Sequence, residues 1–304
     1  MKLQTAANMQ YYKPAAVESR GFVKAVPELN RLQMLTDANR REVLEFLRKR
    51  PVHTVVMMSF VQDNGLENAD NRGKFYGYRN LKGMLEGVAL IGHTTLIEAR
   101  SEDALVAFAI AAKTSATPIH IVMSDGDTTE RFWQYFAGAN HEPRLVCTEL
   151  LFELKFPFLV QNCKWDVRTA KADELEQIAE AHAEVAFIES GVDPLKKDRE
   201  GFLKRTLRRI EKERTFVVFD NGKLVFKADI VAETEDVIYL EGIYVAPEHR
   251  GQGIASSCLS KLSRKLVSRV QNICLLSNIE FKNAHRSFLK AGYKNTDRSQ
   301  TIFV

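Results

Sequence analysis

The chain has 304 residues, of which 45% are hydrophobic and 27% charged, and this apolar content suffices for two ordinary globular domains. Lysine and arginine number 43 against 39 aspartates and glutamates, and a net charge of +4 is too balanced to indicate nucleic-acid binding. The longest apolar run, residues 104–112, is too short to span a bilayer, and the first residues lack the apolar core of a secretory signal. We therefore expect a cytoplasmic protein without a membrane partner.

The four cysteines are far apart in the sequence, at Cys147, Cys163, Cys258 and Cys274. They lack the close paired spacing of zinc sites and redox motifs, and a chain of this size needs no disulfide to fold. We expect four reduced thiols and no metal site.

The predicted elements fall into two series of the same order. The first series comprises a strand at 31–35, a helix ending near Arg50, strands at 74–78, 84–92 and 94–99, a helix after Ser101, a strand at 119–123, a helix at 128–136 and a strand at 145–154. The second comprises a strand at 165–170, a helix from Asp173 to about residue 186, strands at 215–219, 223–231 and 237–245, a helix from about Gly253, a strand at 273–277, a helix at 283–291 and a strand ending near Phe303.

This repeated order indicates a tandem duplication. We predict an α/β fold of two related domains, each a mostly antiparallel mixed sheet flanked by helices. The domains would span residues 26–160 and 161–304, after an N-terminal extension at 1–25. The alternative is a single large mixed sheet.

The most informative segment is the strand, loop and helix at residues 237–266. Its strand ends at Val245, and a short loop with Gly251 and Gly253 leads into a helix whose apolar residues recur every four positions on one face. Glycines let a ligand approach the backbone, and the first turn of a helix offers N–H groups without internal partners beside a partial positive charge. The segment therefore predicts an anion site that fits a pyrophosphate.

The segment resembles the GNAT superfamily of acetyl-CoA-dependent N-acyltransferases. The resemblance rests on the strand ending in Val245-Ala246-Pro247, on the loop RGQGIA at 250–255 with the helix after it, and on FLKAGY at 288–293, which looks like the family's closing aromatic-xxx-Gly-aromatic motif. It covers residues 165–304 well, whereas the first half resembles only the fold plan, as in tandem members of the family.

The resemblance implies acetyl-CoA as the co-substrate. In the family, the strand before the loop pairs through its backbone with the pantetheine arm, and the loop amides bind the pyrophosphate. The cofactor-binding residues it implies in this chain are Ile243, Tyr244, Val245, Arg250, Gly251, Gln252, Gly253, Ile254, Ala255 and Ser256.

Three residues depart from the family pattern. Phe288 occupies the place of a tyrosine that serves many members as general acid, and phenylalanine has no proton to donate. Phe281 stands where an asparagine is common; Asn278 and Asn283 are its nearby substitutes, and Asn278 is included in the cofactor site. Glu248 stands where Gln or Arg is common. The lost acid slows the transfer without forbidding it, because a positioned acid contributes about 10²–10⁴-fold.

The best candidate for a general base is Glu241, on the strand before the loop. Alternation with period two would put Glu241 on the same face as Ile243 and Val245. Tyr244 would then lie on the opposite face with Leu240. We predict Glu241 and Tyr244 as the catalytic residues, Tyr244 as a hydroxyl donor.

Three further residues are candidates for the site. Tyr239 is a second hydroxyl donor, although buried core tyrosines are commoner. His249 lies in the loop itself and can reach a phosphate or solvent. His182 lies on the apolar side of its helix, where a core histidine is the commoner outcome.

The first half lacks the features of a cofactor loop. Its matching strand-to-helix loop has no glycine and carries Glu98, Glu102 and Asp103, which would repel a pyrophosphate. We therefore predict one cofactor site, in the second half, and a degenerate first half that braces the second and walls the acceptor pocket.

The leading hypothesis is transfer of an acetyl group from acetyl-CoA to a primary amine of a small molecule or a protein. A second hypothesis is a transferase that uses a longer acyl-CoA, an acyl carrier protein or an aminoacyl-tRNA. A third is a non-catalytic CoA-binding regulator, favoured by Phe288. The basic stretch 204–209 is interpreted as a solvated helix face, and its lack of aromatic residues argues against RNA. The acceptor and the oligomeric state are left open.

Overall fold

The computed structural model describes residues 27–138 and 142–304, so the predicted extension at 1–25 lies outside the described residues. The first half contains β1 (Leu32–Met34), α1 (Arg40–Leu47), α2 (Pro51–Asn64), β2 (Gly73–Arg79), β3 (Leu85–Gly92), β4 (Thr94–Ala99), α3 (Glu102–Lys113), β5 (Ile121–Asp125), α4 (Gly126–Ala137) and β6 (Leu145–Lys155). The second half contains β7 (Arg168–Thr169), α5 (Leu175–Ser190), α6 (Pro194–Lys197), α7 (Arg199–Glu211), β8 (Thr215–Asp220), β9 (Lys223–Glu233), β10 (Val237–Val245), α8 (Ile254–Leu266), β11 (Asn272–Asn278), α9 (Lys282–Ala291) and β12 (Lys294–Phe303).

All twelve strands form one mixed sheet, in the order β1-β2-β3-β4-β5-β12-β6-β11-β10-β9-β8-β7. The predicted α/β class, mixed sheet flanked by helices, is confirmed, and the strands of both halves join in the single large sheet that was the alternative. The last strands of the two series interleave, because β6 pairs with β11 and β12, and β12 pairs with β5. Backbone hydrogen bonds therefore cross the expected boundary at residue 160, and the division into two domains stays a prediction.

Helix α2 is an element that the sequence prediction missed. The prediction ended one helix before Pro51, whereas the chain breaks there and starts a second helix with Pro51 in its first turn. Proline ends a preceding helix but suits the first turn of the next, because its missing N–H has no partner there in any case. Helix α2 packs on β9 and β10, where Val55 joins Ala232, Val237 and Tyr239 in one core cluster. The first half thus supports the strands of the second.

The second half is built around two cores on opposite faces of the sheet. Beneath α8 and α9, a large cluster contains Leu240, Cys258 and Phe288. Beneath α5 and α7, a smaller cluster contains Ile178 and Ile210. Between these layers β10 and β11 run parallel, and they pair only from Val237 to Tyr239. Beyond Tyr239 the two strands part, and the gap between them positions the candidate site.

Candidate active site

The gap between β10 and β11 opens into a cavity of about 220 Å³. Side chains of α5, β10, β11 and α9 surround it. The lining residues on α5 and β10 include Glu184, Glu189, Glu241, Ile243, Tyr244 and Val245, and those on β11 and α9 include Leu276, Ser277, Ala284 and Phe288. Several predicted site residues therefore meet at one place.

A β-bulge interrupts β10 beside this cavity. The register with β9 places Glu241 opposite Asp229 and Tyr244 opposite Lys227, so β10 has one residue more than β9 between these pairs. Gly242 lies at the bulge with φ of +59°, a backbone conformation that glycine adopts readily. The bulge bends β10 where it leaves β11.

The bulge also changes which side chains share a face. Since Lys227 and Asp229 lie on one face of β9, Glu241 and Tyr244 lie on that same face of β10. The predicted alternation, which put Tyr244 opposite Glu241, is wrong, because one extra residue reverses the pattern after Gly242. Ile243 and Val245 pack on the other face, against the core beneath α8.

The loop before α8 has the geometry of an anion site. Gly251 and Gly253 have φ of +78° and +77°, and the directions in which their side chains would point are open. Within the described part of the chain, the backbone N–H groups of residues 251–256 donate no hydrogen bond, and the first such donor in α8 is Ser257, to the carbonyl of Gly253. Six adjacent N–H groups at a helix N-terminus fit a pyrophosphate.

Two loop side chains are engaged within the protein. The Arg250 guanidinium donates to the carbonyl of Val245 (2.8 Å) and to Oε1 of Glu184 (2.9 Å). The Ser256 hydroxyl is buried and donates to the carbonyl of Gly253 (3.0 Å). Backbone N–H groups, rather than these side chains, are therefore the donors that the loop holds ready for an anion.

The amino-acid sequence of this region identifies its family. Residues 174–293 match the acetyltransferase (GNAT) family. We call these residues the GNAT segment; they begin just before α5 and end with the residue after α9 and its glycine. No curated protein sequence matches the chain.

Solved structures share the fold over both halves. A Drosophila protein covers 90% of this chain and 98% of its own length with a TM-score of 0.66 at 12% identity. A tandem GNAT protein from the clavulanic acid biosynthesis pathway covers 89% and 98% with a TM-score of 0.54 at 11% identity. A GNAT-family acetyltransferase from Colwellia psychrerythraea covers 90% and 99% with a TM-score of 0.53 at 15% identity. At these identities the likeness establishes the fold alone.

Three carboxyl groups interact near the gap: two belong to the GNAT segment, Glu189 on α5 and Glu241 on β10, and the third is Glu149 on β6. Burial is the main cause that raises the pKa of Glu241, whose Oε1 accepts a hydrogen bond from the Tyr239 hydroxyl (3.2 Å). Burial raises the pKa of Glu189 to about 8, with the like charges of Glu241 and Glu149 adding to the effect. Burial also raises the pKa of Glu149 to about 7, against a hydrogen bond from Thr301 (2.6 Å). Glu149 and Glu189 are therefore expected to gain or lose a proton near neutral pH.

Sequence reasoning found Glu241 but missed Glu149 and Glu189. Glu189 lies at the end of α5, beyond the predicted end of that helix near residue 186. Glu149 lies on β6, which the chain order assigns to the first series. Only the interleaving of β6 beside β11 brings Glu149, opposite Asn278, to the site.

These raised pKa values predict a stability that depends on pH. The ordinary glutamate pKa is 4.5, so between pH 4.5 and about 8 the folded chain binds more protons at Glu189 than the unfolded chain does. The contribution of Glu189 to the free energy of unfolding is therefore fully present below pH 4.5 and is lost as the pH rises to about 8. We expect Glu189→Gln to raise the melting temperature at pH 8 by about 2–4 °C and to leave it unchanged at pH 4.5.

Scanning calorimetry at the two pH values measures this difference. The exposed Glu130→Gln serves as the control and should follow the unmodified chain at both. If Glu189→Gln melts at a lower temperature than the unmodified chain at pH 8, the folded chain keeps Glu189 ionised, and burial does not raise its pKa.

Tyr244, the second predicted catalytic residue, lines the cavity beside Arg250. Burial and the nearby Glu184 raise the pKa of its phenol to about 12, and the Arg250 guanidinium lies 5.7 Å from the ring centre. The phenol is thus protonated at neutral pH and is a hydrogen-bond donor, not a base. Tyr239 is fully buried, and its hydroxyl is held by Glu241.

The remaining candidates lie outside this constellation. Asn278 ends β11, where its amide oxygen accepts from the N–H of Glu280 (2.9 Å), and its neighbour Ser277 is the residue that lines the cavity. His182 lies between Phe202 and Arg209, and burial lowers its pKa to about 3, so it is a neutral core histidine. His249 packs edge-on against Trp165.

Two cysteines that are distant in sequence are close in space. The sulfurs of Cys163 and Cys258 lie 3.8 Å apart, as free thiols. Among the residues that the structure describes, no group of three or more His, Cys, Asp or Glu side chains is arranged for a metal ion. In the same residues, no helix combines the length and the apolar character needed to cross a membrane.

The first half has a corresponding gap that contains internal ion pairs. Strands β4 and β5 pair from Thr94 to Leu96 and then part, and Glu98 follows Leu96 by two residues just as Glu241 follows Tyr239. The Arg50 guanidinium contacts the carboxylates of Glu98 and Asp125, each at 3.0 Å.

The N-terminal end of α3, the corresponding helix of the first half, is capped by a side chain. The hydroxyl of Ser101 caps α3 by accepting from the N–H of Ala104 (3.3 Å), and two acidic residues occupy the first turn. The side chain of Glu98 is not in this loop; it is buried in the gap, contrary to its predicted place among the loop acids. This end of the helix therefore lacks the anion-site geometry of the second half.

Replacing Arg50 tests whether its ion pair with Glu98 stabilises the first half. The Glu98 side chain is 4% exposed, and its Oε1 has no hydrogen-bond partner among the described residues, with the Arg100 guanidinium 3.8 Å away. We expect Arg50→Met to lower the free energy of unfolding by about 2–3 kcal/mol, somewhat less than for fully buried pairs because Arg50 is partly exposed.

Urea denaturation measures this loss. Arg41→Met, which removes the exposed pair with Glu45, is the control and should change stability by less than about 0.5 kcal/mol. An Arg50→Met chain as stable as the control would show that Glu98 does not depend on Arg50.

Proposed function

We propose that this chain transfers an acetyl group from acetyl-CoA to a primary amine in the gap between β10 and β11. The observation that supports the proposal is that two structural features lie next to each other. Six N–H groups without partners in the described residues stand at the start of α8, and the strand leading to them parts from β11 at a cavity that contains Glu241 and Tyr244. The match of residues 174–293 to the acetyltransferase family supports the same reaction class.

In this proposal, the loop and the strand bind the donor. Residues 251–256 hold the pyrophosphate through their backbone N–H groups, assisted by the positive end of α8. The part of β10 that β11 leaves, at Ile243, Tyr244 and Val245, offers backbone groups to the pantetheine arm. Bound acetyl-CoA supplies a thioester whose carbonyl carbon an amine can attack.

Glu241 is proposed to remove the proton of the acceptor amine. An amine attacks only in its neutral form, and most primary amines are protonated at pH 7. The raised pKa of Glu241 makes its carboxylate a stronger base than an exposed glutamate. Glu149, whose pKa is raised to about 7, carries part of a negative charge at neutral pH, and Glu189 adds its charge only as the pH rises to about 8 and above; this charge attracts a cationic amine before its proton is lost.

Tyr244 is proposed to donate a hydrogen bond to the leaving thiolate. Its phenol is protonated at neutral pH and lines the cavity on the face of Glu241. Phe288, which is buried against Phe152 (ring centres 5.5 Å apart), has no proton to give. We further propose that the two halves are related domains, at 26–160 and 161–304, and that the first has lost its donor site.

A second candidate function is a CoA-binding regulator without catalysis. Phe288 favours it, because the usual position of the general acid is apolar. The three carboxylates favour catalysis, since a structural CoA pocket has no need of bases near neutral pH.

The test of the proposed function is a panel of primary amines. The panel would include monoamines, diamines, amino acids and lysine peptides, each incubated with acetyl-CoA. We expect thiol release and a mass gain of one acetyl group for at least one class of amine, with cationic diamines favoured by the acidic cavity. Tight CoA binding without thiol release for every amine would contradict transfer to amines and favour the regulator.

A further inference from the structure

Two free thiols face each other between α8 and the segment that connects the two halves. This linker segment, residues 156–167, follows β6 and contains no helix or strand. Its Cys163 is partly exposed, and the sulfur of Cys163 lies 3.8 Å from the sulfur of Cys258, which is buried on the inner face of α8. The pair lies outside the cavity and the loop described above.

The linker segment is already held along α8 on both sides of this contact. The N–H of Gln161 donates to the Ser260 hydroxyl (3.0 Å), and the Lys261 ammonium donates to the carbonyl of Trp165 (2.6 Å). Cys163 lies between Gln161 and Trp165, so the two backbones run side by side where the thiols meet. A disulfide has its sulfurs about 2.05 Å apart, and a shift of about 2 Å in a segment that is neither helix nor strand closes the difference.

The thiols of Cys163 and Cys258 differ in their access to solvent. Cys163 is partly exposed, so a small disulfide in solution can reach its sulfur. Cys258 is buried, and burial raises the pKa of its thiol, so this thiol is protected from direct reaction with solutes. An accessible thiol beside a second thiol that can resolve its oxidised form is the arrangement of redox-sensing cysteines. Burial alone would explain Cys258 as a small apolar side chain, but not a second cysteine opposite it at a partly exposed position.

We propose that Cys163 and Cys258 are a redox-active pair, which a small-molecule disulfide such as oxidised glutathione converts reversibly to a disulfide that fastens the linker segment to α8. The Cys163 thiolate attacks one sulfur of the small disulfide, breaks its S–S bond and releases one thiol. The Cys258 thiolate then attacks the Cys163 sulfur and releases the second thiol. The protein loses two electrons and two protons, and the small disulfide gains them as two free thiols. This proposal does not depend on acyl transfer.

The disulfide would close a long loop of the chain. Cys163 and Cys258 are 95 residues apart in the sequence, and a cross-link over such a distance removes conformational freedom from the unfolded chain. We expect the oxidised chain to melt about 4–8 °C above the reduced chain. Trypsin should also cleave more slowly after Lys164, an exposed residue of the linker segment, because local opening of the segment is restricted.

Incubation of the full chain in glutathione buffers with an increasing oxidised fraction tests the proposal. After the remaining thiols are blocked by alkylation, mass spectrometry should show the loss of two hydrogen atoms and one pair of peptides linked through Cys163 and Cys258. Dithiothreitol should reverse the link. The melting temperature and the rate of tryptic cleavage are measured on the same samples.

Three variants separate the pair from the other thiols. Cys163→Ser removes the attacking thiol, so the link, the shift in melting temperature and the protection of Lys164 should all be lost. Cys258→Ala should stop at a mixed disulfide between Cys163 and glutathione. Cys147→Ser is the control, since the sulfur of Cys147 contacts the carbonyl of Glu189 instead (3.9 Å), and it should keep all three effects of oxidation.

Three results would overturn the proposal. The first is a chain that keeps Cys163 and Cys258 as free thiols in a fully oxidised glutathione buffer. The second is an unmodified chain that accumulates the mixed disulfide at Cys163 without linking to Cys258, because the buried thiol would then resolve nothing. The third is a link that leaves the melting temperature and the tryptic cleavage unchanged, since the linker segment would then not be fastened by it.

Discussion

Gly253→Asp is expected to abolish the stabilisation of this protein by acetyl-CoA. Gly253 has φ of +77° at the start of α8, where an L side chain is strained by roughly 1–2 kcal/mol. The larger effect is electrostatic, because a carboxylate at this place competes with the pyrophosphate for the same N–H groups. At a ligand concentration about 100 times Kd, acetyl-CoA should stabilise the unmodified chain by about 2.7 kcal/mol and the variant by none.

Thermal unfolding with and without acetyl-CoA measures both effects. Gly222→Asp is a matched control, because Gly222 has φ of +75° and open space around it in the turn between β8 and β9. Both variants should lose similar stability without ligand, and only Gly222→Asp should keep the full shift with acetyl-CoA. A full shift in Gly253→Asp would mean that the donor binds elsewhere.

Glu241→Gln is expected to lower kcat by about 10²–10⁴-fold, the usual contribution of a positioned general base. Glutamine keeps the size and the hydrogen bond with Tyr239 but cannot accept the amine proton. In the unmodified chain, activity should fall as the pH drops through the raised pKa of Glu241, because protonation removes the base. This fall in activity at low pH, the acidic limb of the pH profile, should be absent from the residual activity of the variant.

The neighbouring carboxylates provide the controls for this result. Glu149→Gln and Glu189→Gln should keep the acidic limb and lose less turnover, since these groups attract the amine and do not take its proton in our proposal. Their main effect should be a higher KM for cationic amines at pH values above about 8, where both carboxyl groups are ionised. Full turnover of Glu241→Gln at every pH would exclude Glu241 as the base, and loss of the limb in Glu189→Gln would transfer the role to Glu189.

Local sequence patterns were sufficient to predict most of the elements. A nearly continuous run of apolar residues placed β10 at its observed bounds, and the glycines before α8 predicted a loop whose N–H groups have no partner in the described residues. These features depend on short-range chemistry, because backbone angles and helix ends are set by a few neighbouring residues. The repeated order of elements along the chain was visible for the same reason.

The site itself depends on contacts that a single sequence does not contain. The bulge at Gly242 reversed the predicted face of Tyr244, and period-two alternation cannot anticipate one extra residue. The interleaving of β6 and β12 brought Glu149 beside the second half, although the sequence order assigned it to the first. The pairing of Lys227 with Asp229 and Gly242 likewise joins two strands whose sequences show only isolated charges.

The central claim is a single acyl-donor site in each chain, formed by the loop before α8 and the gap between β10 and β11. The most direct test is calorimetric titration of the protein with acetyl-CoA, read for stoichiometry. We predict one site per chain with micromolar affinity, a similar affinity for free CoA, and no second site in the first half, where Arg50 forms an ion pair in the gap and Ser101 caps α3. Binding of two molecules per chain, or of none, would contradict this account.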